Sequence, residues 1–120
     1  MTANEVINLA LSQIGTKEEP ANSNNVKYNT WYYGKPVSGS AYPWCMTFIQ
    51  WLFAELKAEY LLPIKTASCG TFMKAAQKAG LWVTSEYLPG DIAIYDFPGG
   101  GNTDHTGLVI SKTERGLITI

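Results

Sequence analysis

A chain of 120 residues, 46% of them hydrophobic, is long enough for one domain with a core of its own. Nine Lys and Arg against ten Asp and Glu leave a net charge of −1, which excludes the broad basic footprint of a nucleic-acid or anionic-membrane binder. Two cysteines and one histidine are too few for a disulfide framework or for a four-ligand Cys/His zinc site. No apolar run approaches the roughly 20 residues that span a bilayer, and the N-terminus lacks the basic start and apolar block of a signal peptide. The chain is therefore expected to be cytosolic when made, exported by another route, or cut from a longer parent.

The first element is a helix. Thr2 and Glu5 fit a capping box, Val6, Ile7, Leu9, Ala10, Leu11 and Ile14 follow at helical spacing, and Gly15 supplies the stop. From Thr16 to Tyr42 the chain reads as a long loop, punctuated by Pro20, Asn22, Asn24, Asn25, Gly34, Pro36 and Gly39. It carries Tyr28, Trp31, Tyr32, Tyr33 and Tyr42, too aromatic a set for a floppy linker. Flat rings of this kind can wall a substrate groove by stacking on sugars or clamping a peptide; they can equally pin the loop to the core. Trp31, Tyr42 and Trp44 are the candidates for the groove wall and the oxyanion side of a site.

After Pro43 the chain turns strongly apolar for about three helical turns. Phe48, Ile49, Trp51, Leu52, Phe53 and Leu56 leave almost no polar face, so the expectation is a helix buried on most sides, running from Cys45 to about Glu59. Cys45 falls in its first turn, where N–H groups without internal partners carry partial positive charge. A thiol held there ionises more easily than the free value of about 8.5. That suits a nucleophile, although an apolar core position would suit a cysteine as well. Tyr60 to Pro63 breaks the helix. Another helix is expected from Ser68 as N-cap to Ala79, with Gly80 as stop and Phe72, Met73, Ala76 and Ala79 as its apolar stripe. Cys69 thus also lies in a first helical turn and is a rival nucleophile. Catalytic groups are better held on a rigid central element than on a peripheral one, which favours Cys45.

The character then changes to strands. Leu88 to Asp91 is a turn, and Asp91 to Phe97 reads as a buried strand. Pro98 to Thr103 is a glycine-rich loop, and Thr106 to Ser111 is a second strand. Lys112 to Gly116 is a hairpin turn, and Leu117 to Ile120 starts a third strand. Helices followed by consecutive strands make an α+β pattern with an antiparallel sheet. His105 opens the second strand directly after the loop. Asp104 precedes it, but neighbouring strand residues point to opposite faces, so Asp104 is a poor partner for its ring. A lone strand histidine is often structural. Here a cysteine at a helix start followed, far along the chain, by a histidine at a strand start is the chain order of papain-like cysteine hydrolases.

The segments Trp44-Cys45 through Phe48 and Trp51, Leu88-Pro89-Gly90-Asp91-Ile92-Ala93-Ile94-Tyr95-Asp96, and Asp104-His105-Thr106-Gly107-Leu108-Val109 together resemble a CHAP domain. That family comprises cysteine, histidine-dependent amidohydrolases/peptidases related to NlpC/P60 hydrolases. The first helix, the Asn24 to Tyr32 stretch and Ser68-Cys69 are similar to phage endolysin and Firmicute members, so the resemblance spans nearly the whole chain. It implies a papain-like fold in which N-terminal helices pack on an antiparallel sheet, a single domain over residues 1–120, Cys45 as nucleophile and His105 as general base. It implies a partner, bacterial peptidoglycan, and a monomer acting at the cell wall after secretion or phage release, with no nucleic acid and no membrane involved. The reaction would be hydrolysis of the N-acetylmuramoyl–L-alanine bond or of a peptide link, with the Cys45 N–H as an oxyanion donor. The family's third polar residue, which fixes the imidazole, would fall just past Ile120, so the expectation is a domain trimmed from a longer parent or an orienting group that comes from elsewhere. In this resemblance Cys69 has no catalytic role. Some members bind calcium, but Asp96 to Asp104 lacks the alternate acidic spacing of a good oxygen-ligand loop, so no metal or other cofactor is expected. The alternative is a wall- or peptide-binding module with a degenerate site and no turnover.

Overall fold

The computed structural model describes residues 2–19, 23–39, 41–82, 88–95, 105–113 and 116–119, with the backbone alone for 95, 105, 111–113 and 116–119. In chain order these form α1 (Ala3–Ser12), α2 (Lys27–Tyr33), α3 (Cys45–Glu55), a 3-10 turn (Glu59–Leu61), α4 (Cys69–Lys78), β1 (Ile92–Tyr95), β2 (His105–Thr113) and β3 (Gly116–Thr119). The strands pair antiparallel in the order β1-β2-β3. Helices first and an antiparallel sheet after them is the expected α+β order. Ile92 pairs with Leu108 and Tyr95 with His105, and a bulge between Val109 and Ser111 shifts the register of β2 against β3.

The first helix forms as its sequence dictates. The Thr2 hydroxyl accepts from the Glu5 N–H, the Glu5 carboxylate accepts from the Thr2 N–H, and Val6, Ile7 and Ala10 turn inward. α4 starts at its expected cap, with the Ser68 hydroxyl accepting from the Thr71 N–H. The central element is α3. Met46, Ile49, Leu52 and Phe53 are buried in one cluster with Val6, Ile7 and Ala10 of α1, Phe72 of α4 and Leu108 of β2. The expected helix buried on most sides is therefore what the core is built around.

Two expectations need correcting. The stretch from Thr16 to Tyr42 is not all loop, because Lys27 to Tyr33 forms α2. Asn, Thr and aromatic residues are indifferent helix formers, and the preceding Val26 offers no side-chain cap, so nothing local announces it. Packing holds it instead, through the buried Tyr28 and Asn29, and Gly34 ends it at φ 76°. The second correction is the end of α3, which stops at Glu55 rather than near Glu59. Lys57 adopts φ 54°, its N–H donates to the Ala54 carbonyl, and the Ala58 N–H donates back to Phe53. That is a Schellman ending in which a lysine stands where glycine is usual, so the stop is hidden from the sequence.

The turn before β1 is fixed to α1. Gly90 has φ 91°, and a Cβ there would lie 2.9 Å from the Ala3 Cβ. Its N–H donates to the Val109 carbonyl while the Val109 N–H donates to Asp91, which carries the ladder one step beyond β1. The expected strand end at Asp96 and Phe97, the loop Asp96 to Asp104 with the calcium question attached to it, the turn residues Glu114 and Arg115, and Ile120 lie outside the described residues.

Candidate active site

Cys45 is the first residue of α3, and Trp44 is its N-cap without a side-chain cap hydrogen bond. The duty of fixing this turn passes to Thr47, which is fully buried. Its hydroxyl donates to the Trp44 carbonyl at 3.0 Å and lies 2.6 Å from Asn29 Oδ1. Asn29, also without exposed surface, donates from Nδ2 to the carbonyls of Asn24 and Tyr42. One amide therefore joins α2, the loop before it, the approach to Pro43 and the first turn of α3. The sequence reading missed Asn29, since an asparagine in a loop rich in Asn and Ser gives no signal of its own.

A groove of about 500 Å³ opens beside this turn. Its walls come from the end of α1 (Ala10, Gln13), from Thr16 and Asn24, and from Tyr28 on α2. Pro43, Trp44, Cys45 and Phe48 form the α3 side, and Thr106 enters from β2. Tyr28 is buried beneath Trp44, with ring centroids 5.6 Å apart and an interplanar angle of 23°. Burial raises the Tyr28 phenol above its ordinary value, with a side-chain hydrogen bond from Thr16 opposing the shift. This wall of the groove is therefore neutral through the physiological range. Glu18 braces the other edge: its carboxylate accepts from Trp44 Nε1 at 2.7 Å and from the Asn24 N–H at 3.1 Å. Nothing in the sequence links Glu18 to Trp44, which lies 26 residues away.

The sequence-derived candidates part company here. Cys45 is half-buried and lines the groove, and Trp44 lines it alongside. His105 opens β2 opposite Tyr95, one residue before the groove-lining Thr106; its side chain lies outside the described residues. Thr106 itself is held by its hydroxyl, which donates to the Ala93 carbonyl at 2.7 Å. Trp31 and Tyr42 are not in the described lining. They belong to a ladder of edge-on rings, Trp31 to Tyr32, Tyr32 to Tyr33 and Tyr33 to Tyr42, with Lys65 Nζ 5.1 Å above the Trp31 ring. The rival thiols prove to be neighbours: Cys45 Sγ and Cys69 Sγ are 3.7 Å apart, at the heads of two different helices. Among the described residues, no three His, Cys, Asp or Glu side chains gather to hold a metal ion.

A thiol at a buried helix start, facing a groove that a histidine-bearing strand also reaches, is an arrangement able to attack an acyl carbon. Comparison with known proteins bears on the same stretch. Neither the curated proteins nor the solved structures contain a match. The family model of the CHAP domain matches residues 37–120, well over half of the chain, and that span holds Cys45, Cys69, His105 and all three strands. The chain belongs to the CHAP domain family.

Proposed function

We propose that this chain is a cysteine amidohydrolase of bacterial peptidoglycan, with Cys45 as nucleophile and His105 as general base. Family membership supports hydrolysis of the cell wall in general. The observation that carries the finer reading is the groove, with Cys45 at the head of α3 on its wall; His105 is assigned as base because it is the one histidine in the sequence. In the reaction, His105 takes the proton from Cys45 Sγ, and the thiolate attacks the amide carbonyl. The oxyanion develops beside the Cys45 N–H at the positive end of α3. Protonation of the nitrogen by the imidazolium expels the amine and leaves a thioester. A water deprotonated by His105 then attacks that thioester, releasing the carboxylate and restoring the thiol. Pro43, Trp44 and Phe48 offer the substrate an apolar wall, which suits the lactyl and alanyl end of a stem peptide.

The bond is either N-acetylmuramoyl–L-alanine or a peptide link of the stem or cross-bridge. The protein acts as a monomer at the cell wall, delivered by secretion or by phage in the manner of an endolysin. No described helix is long and apolar enough to cross a membrane. Digestion of purified Gram-positive sacculi tests this, with released fragments identified by mass. New amino groups should appear; stem peptides freed at L-alanine identify an amidase, and opened cross-links an endopeptidase. A second reading, a wall-binding module without turnover, draws on the ring ladder from Trp31 to Tyr42. Sedimentation of the chain with sacculi and no new amino groups would favour it.

A further inference from the structure

Hydrolysis by this route uses one sulfur, yet the fold brings two together. Cys45 and Cys69 are 24 residues apart in the chain, and each begins a helix of ten or more residues. Their Sγ atoms are in contact at 3.7 Å. A disulfide has its sulfurs at about 2.05 Å, so closing the pair needs an approach of about 1.6 Å, within the reach of side-chain torsions. Both sulfurs sit where helix N-termini favour the thiolate, which is the attacking form. Exposure divides their roles. Cys45 lines the groove, whereas Cys69 is 8% exposed and lies in the core cluster against the α3 head.

We propose that Cys45 and Cys69 form a reversible disulfide, a redox-modification site that withholds the Cys45 thiol under oxidising conditions. Bond formation is a property of the pair alone; its effect on hydrolysis rests on the reading of Cys45 as nucleophile. The oxidant is a low-molecular-weight disulfide such as oxidised glutathione. The Cys45 thiolate attacks one of its sulfurs, the S–S bond breaks, and one glutathione thiolate leaves and takes up a proton. The Cys69 thiolate then attacks Cys45 Sγ and displaces the second glutathione. The two protein thiols lose two electrons and two protons, which end on the two glutathione thiols. The order follows from access, since Cys45 meets solvent in the groove and Cys69 meets Cys45.

The test equilibrates the full chain in glutathione buffers of stepped oxidised-to-reduced ratio, once folded and once in concentrated urea. After quenching and alkylation, intact mass gives the fraction bonded and peptide mapping locates the bond. The folded chain should carry the Cys45–Cys69 bond at ratios at least about tenfold more reducing than the unfolded chain needs. The Cys69→Ser chain should instead retain the glutathione adduct on Cys45 that the native chain resolves. A folded native chain that stays dithiol, or that stops at the adduct, overturns the proposal, whether or not the variant folds. Turbidity loss of cell walls, followed in the same buffers, should fall with the bonded fraction and return on reduction. A bond that forms without any change in lysis leaves the redox site standing and removes Cys45 as nucleophile.

Discussion

Asn29 spends each polar atom of its amide on a different segment: two carbonyls accept from Nδ2, and Oδ1 lies 2.6 Å from the Thr47 hydroxyl, whose one proton it shares with the Trp44 carbonyl. Because the side chain has no exposed surface, water cannot replace those partners. Asn29→Ala leaves the Asn24 and Tyr42 carbonyls without this donor, while Thr47 keeps its bond to the Trp44 carbonyl. The expected cost is about 3 kcal/mol, measured as a lowered urea midpoint with an unchanged slope. Hydrolytic activity should fall further than stability explains, because the same amide fixes the turn that carries Cys45. Glu18 is a milder case. Its carboxylate braces Trp44 across the groove edge, and it is Trp44, more than Trp31 or Tyr42, that shares the groove with the thiol.

At the scale of elements, the outcome follows how local each signal is. The capping box of α1, the Ser68 cap of α4 and the apolar stripes of both lie within a few residues of each other, so both helices could be read directly. The strands were legible for the same reason, with β1 inside its expected bounds; β2 runs to Thr113, two residues past the expected Ser111, and β3 starts at Gly116, one before the expected Leu117, so both strands take residues from the expected turn Lys112 to Gly116. α2 could not be read, since its stability comes from Tyr28 and Asn29 packing on α3 and not from its own propensities. The sequence marked Cys45 and Cys69 as rival helix-start thiols and favoured Cys45; what it could not show was that the two helix starts converge. The end of α3 was hidden because Lys57 holds a left-handed conformation usually given to glycine. That position makes a direct prediction. Lys57→Gly relieves the strain and keeps both closing hydrogen bonds, which are made by backbone atoms. It should stabilise the fold by about 0.5–1 kcal/mol, seen as a higher urea midpoint. A lower midpoint would mean that the lysine side chain is itself holding the helix end.

For the whole molecule, the family match begins at residue 37, yet the fold does not. Val6, Ile7 and Ala10 of α1 are in the same cluster as Met46 and Leu52, and Gly90 packs directly on Ala3. Seven groove-wall residues, Gln13, Thr16 and Tyr28 among them, also precede the matched span. Residues 37–120 expressed alone lose these partners, each fully buried aliphatic side chain being worth about 1.5–3 kcal/mol. Such a fragment should show no cooperative thermal transition by circular dichroism, against a single transition for the full chain. The groove is thus made by both parts: the matched span supplies Cys45, the proposed nucleophile, and the preceding helices supply much of the wall beside it.

The account rests on Cys45 as the attacking atom, and turbidity loss of Gram-positive cell walls in reducing buffer tests it most directly. Cys45→Ala and His105→Ala should each lose at least about a thousandfold in rate while keeping the native circular dichroism spectrum, and Cys69→Ala should keep most of it. Lysis by a folded Cys45→Ala chain at a rate near that of the native protein would contradict the account.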